Sequence, residues 1–179
     1  MKLHLGCGKR HIPGFVHIDA VDYPHIDHVT SIDNLSFISD GSVDLIYNCH
    51  VLEHFKRRDV ERVLREWCRV LKPGGILRIS VPDFARLCEV YQRYSKLDFV
   101  IGALFGRQDY LYNIHYNVFD FSSLSDILRR TGFTNVRTYD WRQTEHAAVD
   151  DFSQAYIPHM DKEHGMLISL NVECQKSLG

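Results

Sequence analysis

Apolar residues in this chain fall into short runs, and a single long stretch repeats at helical spacing. Lys2-Leu3-His4-Leu5 alternates and stops at Gly6-Cys7-Gly8, which predicts a strand entering a tight turn. Phe15 to Ile18 predicts a second strand ending at Asp19, His28 to Ile32 a third, Val43 to Tyr47 a fourth, and Ile76 to Val81 a fifth launched by the turn Lys72-Pro73-Gly74-Gly75. Between strands four and five, Val60, Val63, Leu64, Trp67, Val70 and Leu71 recur at helical spacing, with Asp59 placed to cap the start and Pro73 to end it. A second helix is predicted over Phe84 to Tyr94. A third follows the capping-box pattern Ser123-x-x-Asp126 and ends at Thr131-Gly132-Phe133. Val136 to Trp141 and Leu167 to Cys174 read as the last two strands. Strands alternating with helices predict one three-layer α/β domain over residues 1–179, built on a mainly parallel sheet.

Residues 97–121 break the alternation. The segment has no clean period and is dense in aromatics (Phe99, Phe105, Tyr110, Tyr112, Tyr116, Phe119), a composition that argues against disorder. It is expected to be a lid or acceptor-binding insertion over a pocket.

A hydrophobic content of 45% and a charged content of 25% are those of an ordinary soluble domain, and a net charge of −2 argues against a nucleic-acid partner. The run Lys56-Arg57-Arg58 reads as a solvated helix entry. Five cysteines, none at C-x-x-C spacing, suit reduced thiols in a cytoplasmic protein better than a disulfide framework. MKLHLGCGKR contains no apolar signal segment, and no run approaches the ~20 apolar residues of a membrane helix, so no membrane insertion is expected.

In open α/β sheets ligands sit at the carboxyl ends of the strands, so the turn after strand one comes first. Gly6 and Gly8 admit close approach of a ligand, and Asp19 at the tip of strand two is placed to accept the hydroxyls of a ribose. A dinucleotide fingerprint is excluded: position 11 is histidine, Pro13 breaks a helix, and Asp19 follows Gly8 by only eleven residues. There is little room for the helix whose N-terminus would hold pyrophosphate. The pattern suits a ribose-bearing ligand without a phosphate.

Taken together, LHLGCGKRHIPGFVHIDA, VDLIYNCHVLEHF, VLREWCRVLKPGGILRISVPD and FDFSSLSDILRRTGF resemble the class I S-adenosylmethionine-dependent methyltransferases. More closely, they resemble the small type 11-like methyltransferases of bacterial surface-glycan pathways. That resemblance implies a Rossmann-like three-layer sandwich: a mostly parallel seven-stranded sheet, an antiparallel last strand and a shortened first crossover. It implies S-adenosylmethionine as cofactor, S-adenosylhomocysteine as product and a small-molecule or sugar-like acceptor. By the same resemblance Gly6, Cys7 and Gly8 lie along the methionyl part and Asp19 on the ribose. Ser31, Ile32 and Asp33 lie beside the adenine, and Asn48, Cys49 and His50 flank the sulfonium.

His50-Val51-Leu52-Glu53-His54-Phe55 also matches H-x-x-E-H, in which two histidines and a glutamate would serve a zinc hydrolase. That reading needs a third ligand and a helix long enough to hold both histidines. In the methyltransferase reading Val51, Leu52 and Phe55 pack a short helix, one histidine faces the pocket, and no metal is expected. Deprotonating an acceptor hydroxyl needs a base, for which His54, His115 and Asp83 are the candidates. A third class is a methyltransferase-like protein that binds ligand without turnover. The acceptor and the oligomeric state are not legible.

Overall fold

In the computed structural model, which describes residues 1–178, the strands are β1 (Lys2–Leu5), β2 (Val16–Asp19), β3 (His28–Val29), β4 (Val43–Cys49), β5 (Leu71–Pro82), β6 (Phe133–Thr138), the short pair β7 (Tyr156–Ile157) and β8 (Met166–Leu167), and β9 (Ser169–Lys176). Seven of them form one sheet in the order β3-β2-β1-β4-β5-β9-β6. β1, β2, β3, β4 and β5 pair in parallel, while β9 runs antiparallel to both β5 and β6. The expected mostly parallel sheet, antiparallel last strand and short first crossover are all present. Residues 6–15 contain no helix.

The helices are α1 (Val60–Val70), α2 (Phe84–Tyr94), α3 (Ile101–Phe105) and α4 (Phe121–Arg130). Side chains alternate across a strand, so each strand offers one set of residues to each face. Leu3, Leu5, Ile46, Leu77, Ile79 and Val172 share a continuous core with Val63, Leu64 and Trp67 of α1 and Leu124 and Leu128 of α4. Trp67 is fully buried and donates its indole N–H to the Ile32 carbonyl at 2.9 Å, tying α1 to the chain after β3.

The opposite face is covered by loops: Ile12 and Phe15 of the crossover pack with Leu45, Tyr47 and Val149. It is polar inside. Arg78 bonds Glu173 through Nε (3.0 Å) and Nη2 (2.7 Å) and Glu145 through Nη1 (3.0 Å), while Tyr47 donates to Asp151 at 2.5 Å. His4 and His146 lie against the Tyr47 ring, with centroids 5.2 and 4.0 Å away.

Several boundaries differ from the sequence reading. Asp59 has a helical backbone and makes no side-chain cap, so its carboxylate does not sit over the first turn of α1. α4 begins before Ser123: Asp120 is the cap, accepting from Ser123 N at 2.8 Å, while Ser123 Oγ returns to Asp120 N. β3 is only two residues long, because the chain turns off after Thr30 N reaches Asp19 O. β6 starts earlier than predicted and bulges at Asn135, whose φ is +52°. β9 starts later, at Ser169.

Burial pushes His4 down to about 3 and His146 down to about 4, and neighbouring cationic groups add to both shifts. Each stays neutral in the folded chain but takes up a proton in the unfolded chain below its ordinary pKa of ~6.5. Their stabilisation is therefore complete above that pH and is lost as pH falls towards 4, on the order of 1–2 kcal/mol each by pH 5. His146→Phe should keep the ring contact with Tyr47 and make the decline of Tm between pH 6.5 and 4.5 shallower. An unchanged slope in a thermal melt series would contradict this account.

Candidate functional site

The carboxyl ends of β1, β2, β4 and β5 meet where β9 begins. After β1 the chain turns through Gly6 at φ +63°, with Gly6 N bonded to Ile18 O at 2.8 Å. A β-carbon on Gly6 would stand 2.6 Å from Val51 Cγ2. One on Gly8 (φ +54°) would enter open space. Asp19 closes the turn: Oδ2 accepts from Gly8 N and Oδ1 from Val21 N, each at 2.8 Å. Each carboxylate oxygen keeps a free lone pair. Cys7 between the glycines is buried, and burial followed by Asp19 pushes its thiol up to about 12, so it is a packing residue rather than a nucleophile.

At the end of β4, Asn48 is fully buried, and neither its Oδ1 nor its Nδ2 has a partner. Burial also holds the Cys49 thiol far above its ordinary value. His50 occupies the left-handed region at φ +54°, a strained position for a residue with a β-carbon, and its N–H reaches Ser80 O at 2.8 Å. Its Nε2 meets Ser169 Oγ at 2.9 Å, and its ring packs 5.2 Å from Phe152, over which the Arg10 guanidinium lies.

The next turn, Leu52–His54, is a single 3-10 turn rather than an α-helix. His50 and His54 therefore do not present one helical face to a metal. His54 instead meets His115, with ring centroids 4.6 Å apart. Glu53 is fully buried and has no hydrogen-bond partner at either oxygen; burial pushes its carboxyl up to about 8. His54 faces Ile114 O through Nδ1 and His50 O through Nε2, each at 3.1 Å, and burial lowers it to about 4. His115 bonds Ala103 O through Nδ1 at 2.8 Å, and its pKa is also lowered by burial.

Of the three candidate bases the structure joins two. Asp83 caps α2, accepting from Ala85 N and Arg86 N, and lines a cleft of about 370 Å³ with Tyr139, Ser169 and Asn171. Burial raises its pKa. The slot after β3 is also committed to the fold. Ser31 donates to Asp33, Asp33 is paired with Arg62 of α1 at 2.7 Å, and Ile32 lies in the core.

Residues 97–121 divide into two parts. Phe99, Val100, Ala103 and Leu104 pack with Leu87, Val90 and Ile168 as a small core. The strap that follows returns across the β4 rim, where Tyr116 N bonds Glu53 O at 2.8 Å and Asn117 donates to Phe55 O at 2.5 Å. Its tip, Tyr110 to Tyr112, is exposed. Partial burial, followed by Tyr23 and Asp19, raises the Tyr110 hydroxyl above its ordinary value.

Sequence reasoning missed Ser169, Phe152 and Arg10. Ser169 had a signal: the first residue of an antiparallel last strand must lie at the carboxyl ends of its parallel neighbours. Phe152 and Arg10 belong to loops with no period and no motif.

Residues 15–79 match the family model described as a methyltransferase domain. The chain superposes over 98% of its length on an S-adenosylmethionine-dependent methyltransferase from Archaeoglobus fulgidus, covering 85% of that chain with a TM-score of 0.61 and 14% identity. It also superposes on the 1,6-didemethyltoxoflavin-N1-methyltransferase of Burkholderia thailandensis, a structure with S-adenosylhomocysteine bound, with a TM-score of 0.57, 14% identity and 98% and 70% of the two chains covered. The fold is that of the S-adenosylmethionine-dependent methyltransferases. The malonyl-[acyl-carrier protein] O-methyltransferase of Methylococcus capsulatus is 33% identical over 101 residues, 56% of this chain and 31% of that protein. The matches span less than a third of the curated relatives' own lengths. Among the described residues no helix is long and apolar enough to cross a membrane.

The two glycines of the turn make separable demands. Gly6→Ala meets Val51 and a positive φ together, whereas Gly8→Ala meets only the positive φ, a cost of about 1–2 kcal/mol. Gly6→Ala should lower Tm more than Gly8→Ala, and adding Val51→Ala should recover part of the Gly6→Ala loss but none of the Gly8→Ala loss. Equal losses in calorimetry would contradict the contact.

Proposed function

We propose that the chain transfers a methyl group from S-adenosylmethionine to a small-molecule or glycan-precursor acceptor. The observation that carries this reading is the Asp19 carboxylate anchored on Gly8, beside open space, at the mouth of a methyltransferase-fold sheet. Three features fit the cofactor: lone pairs left on Asp19 for ribose hydroxyls, room over Gly8 that a β-carbon would narrow, and the unpartnered Asn48 amide at the end of β4. Gly6 to Gly8 would lie along the methionyl part, and Asn48, Cys49 and His50 would flank the sulfonium. The adenine would lie beside the segment from Ser31 to Asp33, where the Asp33 carboxylate is already paired with Arg62. The cofactor supplies an electrophilic methyl group.

The protein's work is to hold an acceptor atom in line and to remove its proton where it has one. His115 suits the second task better than His54. Its Nδ1 is fixed on Ala103 O, burial keeps the ring neutral, and Nε2 retains its lone pair. Asp83 is the candidate for the cleft beside Ser169, with its N-cap duty limiting its freedom. The strap over residues 106–118 is the acceptor cover in this reading, its exposed tyrosines facing a sugar-like partner. The printed names of the relatives, a human thiol S-methyltransferase and the malonyl-[acyl-carrier protein] O-methyltransferase, span sulfur and oxygen as methyl acceptors, so the domain type leaves the acceptor open.

S-adenosylhomocysteine should raise the melting temperature while NAD does not. Saturation at a hundred times Kd corresponds to about 2.7 kcal/mol. Asp19→Ala should weaken that binding by roughly tenfold or more, from the loss of charged hydrogen bonds of about 1.5–3 kcal/mol each. Unchanged affinity in titration calorimetry would remove Asp19 from the site.

Tyr112→Ala separates cover from scaffold. Acceptor turnover, followed as S-adenosylhomocysteine release, should fall while S-adenosylhomocysteine affinity and Tm hold. A collapse in Tm would show that the strap is structural.

A further inference from the structure

We propose that Glu53, His54 and His115 form a divalent transition-metal site that fastens the strap to the end of β4. One ligand atom from each of the three lies within 4.8 Å of the others. This departs from the expectation of no metal and also from the zinc-hydrolase pattern. The pair of histidines is His54 and His115, and His50 is turned aside to Ser169.

The donor chemistry is specific. The carbonyl of Ala103 can only accept, so His115 Nδ1 carries the proton and Nε2 presents a lone pair. That Nε2 lies 3.9 Å from Glu53 Oε1. This is too long for a hydrogen bond, but it lies close to the separation of two ligands on one ion, about 3.4 Å for tetrahedral bonds of 2.0–2.2 Å. A backbone carbonyl orienting the far nitrogen is the usual support of a metal-bound histidine. His54 faces carbonyl oxygens with both nitrogens, at 3.1 Å each, yet a neutral imidazole has one N–H. One of its lone pairs therefore points at an acceptor, an unfavourable contact that the ring would leave by turning that nitrogen towards the ion.

Glu53 is the second, independent observation. Its side chain is fully buried and neither oxygen has a hydrogen-bond partner; His50 Nδ1, 3.5 Å from Oε1, is nearer than His115 Nε2 but donates no hydrogen bond to it. An isolated buried carboxylate costs several kcal/mol, which a cation between it and two imidazoles would offset. Two imidazoles and one carboxylate favour zinc, cobalt or manganese over magnesium or calcium, which prefer all-oxygen shells.

The ligands come from two elements. Glu53 and His54 follow β4, while His115 belongs to the strap. A bound cation therefore joins them at the point where Tyr116 N already bonds Glu53 O. The inference does not depend on methyl transfer; with the ion bound, His115 Nε2 has no lone pair left to act as a base, and that role would pass to Asp83.

The test uses the full chain stripped with a chelator and titrated with Zn²⁺ and Co²⁺, with Mg²⁺ as the control. One equivalent of Zn²⁺ should bind with micromolar affinity or better, Co²⁺ should show a d–d absorption band, and amide exchange over residues 113–117 should slow. Glu53→Gln keeps the shape of the side chain and removes its charge. It should fold with an unchanged or higher Tm in the absence of metal and bind Zn²⁺ at least a hundredfold more weakly, as should His115→Ala. A folded wild-type chain that binds no Zn²⁺, or Zn²⁺ binding that survives both substitutions, would overturn the site. S-adenosylhomocysteine titrated into the same samples reads the cofactor site separately, so failure there leaves the metal result standing.

Discussion

The geometry of the mouth depends on one carboxylate. Asp19 ends β2 and accepts from Gly8 and Val21, so it holds together two turns that a longer chain would hold with a helix. The crossover between β1 and β2 has only ten residues, too few for a helix that packs back on the sheet. The loop takes its shape from backbone hydrogen bonds instead: Gly6 N to Ile18 O below and Gly8 N to Asp19 above. The same bonds leave the outer lone pairs of the carboxylate at the mouth. The structural clamp is thus the same group that the proposed function assigns to the ribose, and removing it would disturb the turn as well as any ligand held there.

The two faces of the sheet solve different problems. The face under α1 and α4 is a continuous apolar core. The other, covered by loops, buries Arg78 between Glu173 and Glu145 and stacks two histidines on Tyr47. Loops cannot satisfy their own backbone as helices do, so buried polar partners serve them. Asp151 shows the arrangement: it takes the Tyr47 hydroxyl with one oxygen and Ser153 with the other. Those contacts carry Phe152 to His50, so the polar face sets the outer wall of the site.

The strand segments and the glycine turn after β1 could be read from the sequence because apolar runs and glycine turns act locally, whereas the antiparallel last strand followed only from the family resemblance. Phe84–Tyr94 and Lys2–Leu5 came out at their true bounds. The misplaced cap of α4 came from local ambiguity: Asp120 and Ser123 are both capping residues, and only the extended backbone of Asp120 decides between them. The pairing of His54 with His115 depends on sixty residues of intervening chain and on a strap with no period, so no spacing rule reports it. The commitment of Asp33 to Arg62 was equally hidden, since both residues look like ordinary surface charges.

The central claim is that Asp19 reads the ribose of an adenosyl ligand. Its most direct test compares S-adenosylhomocysteine with the analogue lacking the 2′- and 3′-hydroxyls, titrated by calorimetry into the wild-type chain and into Asp19→Ala. The account predicts that losing the hydroxyls weakens wild-type binding by at least tenfold and has little further effect on Asp19→Ala. Equal affinity of the wild-type chain for both ligands would contradict it.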